Sequence, residues 1–364
     1  MNLAVFSSTP AQVHFYKNIA ANLRKRGHKI YFLARDYGET LDILNELGFE
    51  YFVFSKPPRG AKKVLALPID VLRAVSWLRD KNIDIVTGFE IYGAYTSKLI
   101  RIPYVQFSDS EPMVHNTLLV QYKLTQPAVD VLLTPDTFRC YLGKKHLKVA
   151  SYKELAYLHP NYYSPKEDIL DLLGVEKQED YVLLRFNAFD AVHDIGKYGF
   201  TVEDKILLVR EIEKYARVFI SSEAKDSEIF KDKIVNIPKS RIHDALFYAK
   251  LLVTDTQTMA TEAALLGTPA IRCNRFVGEK DMGNFIELEK RFGLLFNIRD
   301  PKEAIKKAEE LIQIDDIKRE WQRKRERLLE KKIDMTAFMV WFIENYPESL
   351  YKFRENPQIQ YRFR

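Results

Sequence analysis

The chain is a succession of short apolar runs, each followed by a longer stretch with apolar positions three and four residues apart. In the first half the runs NLAVF, HKIYFLA, EYFVF, IDIVTG, IPYVQF and VDVLLTP have the length and the β-branched or aromatic content of buried strands. Between them, VHFYKNIAANLRKRG, TLDILNELG, PIDVLRAVSWLRDKN and GAYTSKLI carry the helical spacing. Such alternation predicts a parallel sheet covered by helices on both faces. It lapses at residues 152–165, YKELAYLHPNYYSP, a stretch rich in aromatics and proline that reads as an interdomain connection. The pattern then restarts: DYVLLRF, a helix around TVEDKILLVREIEKY, ARVFIS, KIVNIP, a helix RIHDALFYAK, and VTDTQTMATEAALLGTPAI as strand, polar turn, short helix and strand. After GLLFNI only helices follow, in PKEAIKKAEELIQ, a basic segment and DMTAFMVWFIENYP. The expected division is one α/β domain over residues 1–155 and a second over 166–333. A C-terminal helix and tail, 334–364, has no strand left to pair and is expected to return to the first domain.

Composition agrees with this layout. A chain of 364 residues suits two domains of ordinary size, and 46% apolar with 29% charged residues is globular. No apolar run approaches the ~20 residues of a membrane span. MNLAVFSSTPAQ lacks a basic leader and a long apolar core, so it reads as a first strand, not a signal peptide. Cys140 and Cys273 stand far apart without a CxxC or Cys/His cluster. That argues against structural zinc and a disulfide scaffold and fits a reducing cytoplasm. The net charge of +6 is concentrated in residues 318–332, KREWQRKRERLLEKK, and in the tail YRFR. Such a basic helix is a solvated face or a peripheral contact with anionic headgroups at the inner membrane surface; no nucleic-acid motif accompanies it.

Two Rossmann-like halves would bind ligands in a cleft at the carboxyl edges of their sheets. No GxGxxG, GxxxxGK[ST] or GxSxG is present, which disfavours a dehydrogenase, a P-loop kinase and an α/β-hydrolase. At the edge of the second sheet, Asp255, Thr256, Gln257, Thr258 and Met259 form the turn and helix start. Thr256 is a fair N-cap, and free amides with the positive helix end make an anion site. Glu262 lies one turn beyond Thr258 on the same face and could accept hydrogen bonds from a diol, or be an ordinary exposed helix residue. Arg185 and Asn187 end the strand VLLRF; Arg185 suits a diphosphate, with an interdomain salt bridge as the alternative. In the first domain Ser7, Ser8 and Thr9 follow the first strand, and His14 falls near the helix start. There the dipole opposes protonation, leaving a neutral base, if it is more than a surface or cap histidine. Asp109 and Glu111, after IPYVQF, could orient an acceptor hydroxyl, act as base, or hold a cation; capping by Asp109 or Ser110 is the alternative. Lys153 and Glu154 could line the base of the cleft.

With these residues in view, the chain resembles GT-B glycosyltransferases. More closely, it is similar to a largely archaeal domain-of-unknown-function family of predicted glycosyltransferases. TPAQVHFYKNIAANLRKRGHKIYFLARDY, IPYVQFSDSE, YKELAYL and TMATEAALLGTPAI carry the likeness in order over roughly residues 1–300. TDTQTMATEAALLGTP is also similar to the UDP-N-acetylglucosamine 2-epimerases. Asp255 and Glu262 keep their places, while Gln257 and Thr258 replace that family's glycines and Thr261 the first of its paired glutamates. RFNAFDAVH stands where those epimerases have HRxEN. The resemblance implies a donor site in the second domain, with the diphosphate on the amides after Asp255 and a sugar or ribose hydroxyl on Glu262. It implies metal-independent transfer to a glycan or lipid-linked acceptor held by the first domain, with His14 or Asp109 as base. Arg185 and the helix amides would stabilise the departing UDP charge. It also implies a role in building cell-surface glycans. No cofactor is expected beyond the nucleotide-sugar co-substrate, a UDP-sugar. The alternatives are a nucleotide-sugar 2-epimerase and a non-catalytic GT-B-like binding protein.

Overall fold

In the first half, each apolar run becomes a strand of one parallel sheet, because both its faces are covered and only uncharged side chains tolerate that burial. The structure is a computed structural model that describes residues 1–56, 63–114, 116–186, 199–222 and 225–364. The chain divides into two compact units, residues 1–162 with 332–364, and residues 163–331.

The first unit contains β1 (Asn2–Ser7), β2 (Lys29–Arg35), β3 (Tyr51–Ser55), β4 (Ile85–Gly88), β5 (Tyr104–Phe107), β6 (Val131–Pro135) and β7 (His146–Val149). Their order is β3-β2-β1-β4-β5-β6-β7, all parallel. The strand β7 escapes the apolar pattern because it lies at the sheet edge, where Lys148 faces solvent. On one face, helices Lys63–Leu78, Ile91–Ile100 and Asn116–Thr125 pack side by side, with Ala74, Leu78, Ala94 and Tyr104 in their core. Helix Pro10–Lys25 packs against Leu155–Leu158 and against Met335–Glu344 from the end of the chain. That last helix is held by Thr336 Oγ1 donating to Ala156 O at 2.7 Å and by Glu344 paired with Arg26 at 2.7 Å and His28 at 3.0 Å.

His146 shows how tightly the β7 edge is specified. Its Nδ1 accepts from the Leu142 amide at 3.1 Å, so its Nε2 carries the proton towards Thr134 Oγ1 at 2.8 Å. Burial, with Lys148 adding to it, pushes its pKa down to about 4. The folded state therefore resists protonation. The stability this contributes is fully present above about pH 6.5 and is lost as pH falls towards 4, at up to about 1.4 kcal/mol per pH unit. His146→Gln is expected to flatten that part of the stability–pH curve. Denaturant melts of both proteins between pH 4 and 7 measure it, and parallel curves would exclude the assignment.

The second unit contains β8 (Tyr181–Phe186), β9 (Arg217–Ser222), β10 (Leu251–Thr254), β11 (Ala270–Cys273) and β12 (Leu295–Ile298), parallel in the order β12-β11-β10-β8-β9. The segment KIVNIP, expected as a strand, makes only one bridge, Ile220 to Ile234, beside the 3-10 turns of Lys225–Lys233. Its apolar run is short, and Pro238 cannot donate to a ladder. In each sheet the strand order reverses at one place, between β1 and β4 and between β8 and β10. In sheets of this kind ligands bind outside the carboxyl ends of the strands, at such a reversal.

Candidate functional site

In the second unit the turn 255–257 and helix Thr258–Leu266 follow β10 at the carboxyl edge where β10 lies beside β8. Asp255 is buried; its amide donates to Arg185 O at 3.3 Å, and its carbonyl accepts from Asn274 Nδ2 at 2.9 Å. The Gly199 backbone approaches so closely that a Cβ there would lie 2.2 Å from that of Asp255, so only glycine fits. Arg185, at the end of β8, donates from Nη1 to Ser221 Oγ at 2.7 Å. Asn187 lies outside the described residues. Cys273 is buried beside this edge, and burial and then the Asp255 charge push its thiol up to about 12, which keeps it protonated at neutral pH.

Thr256 is not the cap expected from the sequence. Its amide and hydroxyl both bond Thr254 Oγ1, at 2.9 and 2.8 Å, and the capping position falls to Gln257, whose side chain makes no cap bond. Thr254 lies two residues before Thr256 and competes for its groups locally, as threonines do at turns. The amides of the first helical turn, at Thr258, Met259 and Ala260, have no acceptor within the helix.

Glu262 is no exposed helix residue. It is 6% exposed, and its Oε1 lies 3.0 Å from Nε2 of His243, itself buried on helix Ile242–Tyr248. The Tyr163 ring stands edge-on to that imidazole, and its hydroxyl donates to Asp244 Oδ1 at 2.7 Å. His243 has no signal in the sequence, because its partner lies on another helix. The far end of helix Thr258–Leu266 is closed by the basic helix Ile317–Leu329. Arg325 Nε donates to Leu265 O at 2.7 Å, and Gln322 Nε2 donates to Leu266 O at 2.9 Å and Gly267 O at 3.2 Å. Lys318 donates to Phe247 O and to Thr268 Oγ1. Arg325 at the negative end of the dipole fixes the helix, whose positive end stands at the carboxyl edge of β10.

In the first unit, Ser8 donates its amide to Gln12 Oε1 at 2.7 Å, and Gln12 Nε2 reaches Glu90 Oε1 at 2.9 Å, tying the turns after β1 and β4 together. Ser7 is buried, and Thr9 begins helix Pro10–Lys25 in extended backbone without a side-chain cap bond. His14, on that helix, is buried beside Tyr157, with ring centroids 5.3 Å apart, and Lys17 Nζ lies 3.5 Å from its Nδ1. Lys153 pairs with Asp109 at 2.5 Å and with Glu154 at 3.4 Å. The segment 153–157 therefore touches both the His14 helix and the loop after β5. Glu111, 2% exposed, accepts from the Arg139 amide at 3.1 Å and pairs with its guanidinium at 3.6 Å, which anchors the chain after β6. Among the described residues no three His, Cys, Asp or Glu side chains gather as a metal site.

Known structures share this pair of parallel-sheet α/β units. S. aureus MnaA, in a co-structure with UDP, is similar over 96% of this chain and 97% of its own at 12% identity, with a TM-score of 0.70. The UDP-GlcNAc 2-epimerase from Methanocaldococcus jannaschii matches over 95% and 100% at 15% identity and TM-score 0.65. The Streptomyces sp. SF2575 glycosyltransferase SsfS6 matches over 95% and 100% at 10% identity and TM-score 0.60. At such identities the likeness defines the fold, which is of the GT-B class. The chain belongs to the DUF354 family, described as proteins of unknown function, whose model matches residues 5–343. No curated protein matches it.

Proposed function

We propose that the chain is a metal-independent glycosyltransferase that takes a nucleotide-diphosphate sugar, a UDP-sugar, on its second unit and a glycan or lipid-linked acceptor on its first. The observation that carries the reading is the buried Glu262–His243 pair one turn inside a helix whose N-terminus opens at the β8/β10 reversal. A carboxylate is held at that depth when a fixed partner orients it, and it then serves hydroxyl donors such as a diol. In the reaction the acceptor oxygen bonds to the anomeric carbon and gives its proton to His14. The carbon–oxygen bond to the diphosphate breaks with its electron pair on the diphosphate. Arg185 and the amides of Thr258 and Met259 stabilise that charge.

A second reading, a nucleotide-sugar 2-epimerase, is supported by the similarity to the M. jannaschii epimerase. The replacement of that family's glycines and first glutamate by Gln257, Thr258 and Thr261 weighs against it. Incubating the protein with UDP-N-acetylglucosamine and other UDP-sugars, with and without glycan or lipid acceptors, separates the two. Release of UDP that requires an acceptor and persists in EDTA supports transfer. A 2-epimer formed from nucleotide sugar alone would overturn it.

Glu262→Gln keeps an acceptor for His243 but removes the charge. It is expected to weaken UDP-sugar binding roughly tenfold or more, the difference between a charged and a neutral hydrogen bond, without lowering the melting temperature much. Calorimetric titration of both proteins decides, and equal affinities would make Glu262 a packing residue only.

A further inference from the structure

Helices Lys63–Leu78 and Ile91–Ile100 pack on the first sheet, Asn116–Thr125 packs on Ile91–Ile100 with Tyr122 against the same core, and each leaves a side exposed. On Lys63–Leu78 the outward stripe is Ile69, Leu72 and Arg73, spaced three and four residues apart. Ile91–Ile100 presents Lys98 and Leu99, and Asn116–Thr125 presents Leu119, Val120, Lys123 and Leu124. The six apolar side chains are between 41% and 60% exposed. Single exposed apolar residues are ordinary; six on three adjacent helices mark an interaction surface. Within these helices the exposed charges have one sign. The only carboxylate in the three helices is Asp70, which is buried, in a chain with 50 acidic residues.

We propose that this face docks the protein on an anionic phospholipid surface, the apolar side chains entering the headgroup layer and Arg73, Lys98 and Lys123 meeting phosphates. Apolar and basic positions without acids are the composition of an interfacial contact. A second copy of the chain fits less well, because a two-fold contact would set this basic face against itself. The C-terminal basic helix is a poorer candidate than its composition suggests. Its exposed Arg319, Arg323 and Arg327 are interleaved with exposed Glu320 and Glu326, and Lys318 and Arg325 are spent on carbonyls of the fold. The inference does not rest on the transferase reading, since vesicle binding is measured without nucleotide.

The test is co-sedimentation of the full chain with vesicles of phosphatidylcholine, with and without phosphatidylglycerol. Binding is expected only with the anionic lipid. Lys98→Glu with Lys123→Glu should lower it roughly tenfold or more. Val120→Asp with Leu124→Asp should also lower it while leaving the melting temperature near that of the parent, because these side chains are exposed. Arg319→Glu with Arg323→Glu should leave it unchanged. The proposal is overturned by absence of binding to anionic vesicles, by binding indifferent to the face variants, or by binding lost in the C-terminal pair. It is also overturned if the face holds a dimer in sedimentation equilibrium that Val120→Asp with Leu124→Asp dissociates while vesicles are ignored.

Discussion

Asp281→Ala is expected to destabilise the second unit by about 3–5 kcal/mol, because it strands a buried guanidinium. Arg272 lies in β11 with no exposed surface, its Nη2 bonded to Asp281 and its Cζ 3.5 Å from the centroid of the Phe285 ring. Burial pulls its pKa below the ordinary arginine value, and Asp281 is the main opposing influence. Its Nε and Nη1 find no partner among the described residues, so the carboxylate carries most of the compensation. At the size of this unit such a loss corresponds to a fall in melting temperature on the order of 10 °C. The double change Arg272→Met with Asp281→Leu removes both charges and should recover most of the loss. Thermal melts of the three proteins measure it. Should Asp281→Ala melt with the parent, the pair is dispensable. The site would feel this defect too, since Asn274, two residues beyond Arg272, holds the carbonyl of Asp255.

His14→Ala is expected to lower turnover by about 10²–10⁴-fold, the usual worth of a positioned base, while UDP-sugar affinity stays near that of the parent. The donor contacts proposed here all lie in residues of the second unit, and His14 belongs to the first. Its ring is fixed by packing against Tyr157 and by the neighbouring Lys17, so its loss removes a placed group, not a mobile one. Single-turnover measurements beside calorimetric binding separate the two quantities. Full turnover would pass the role of base to Asp109, which Lys153 holds at 2.5 Å. Loss of donor binding as well would show that the assignment of His14 to the acceptor is wrong.

The fold was legible because its signal is periodic and local. Runs such as NLAVF and DYVLLRF are buried on both faces, and little besides a parallel strand explains them. The edge strand β7 and the false strand KIVNIP mark where that signal fails: one is half solvated, and the other is apolar without a ladder to join. The candidate site was legible only in part. Asp255 and Glu262 stand out as acids beside apolar runs, and the structure buries both. The hydroxyl chemistry inside the turn was misjudged at Thr256, because Thr254 reaches the same groups first. His243 and Asp281 were missed because their roles depend on partners from other elements. One clue was available for the second: an arginine in the buried run AIRC must have an acid nearby.

The central claim is that the second unit binds a nucleoside diphosphate at the β8/β10 edge, and calorimetric titration of the full chain with UDP and UDP-sugars tests it most directly. Saturable binding is predicted, with a gain of about 2.7 kcal/mol in stability at a hundred times Kd. That gain should be reduced in Glu262→Gln and kept in His14→Ala. Absence of heat and of any thermal shift with every nucleoside diphosphate and nucleotide sugar would contradict the account.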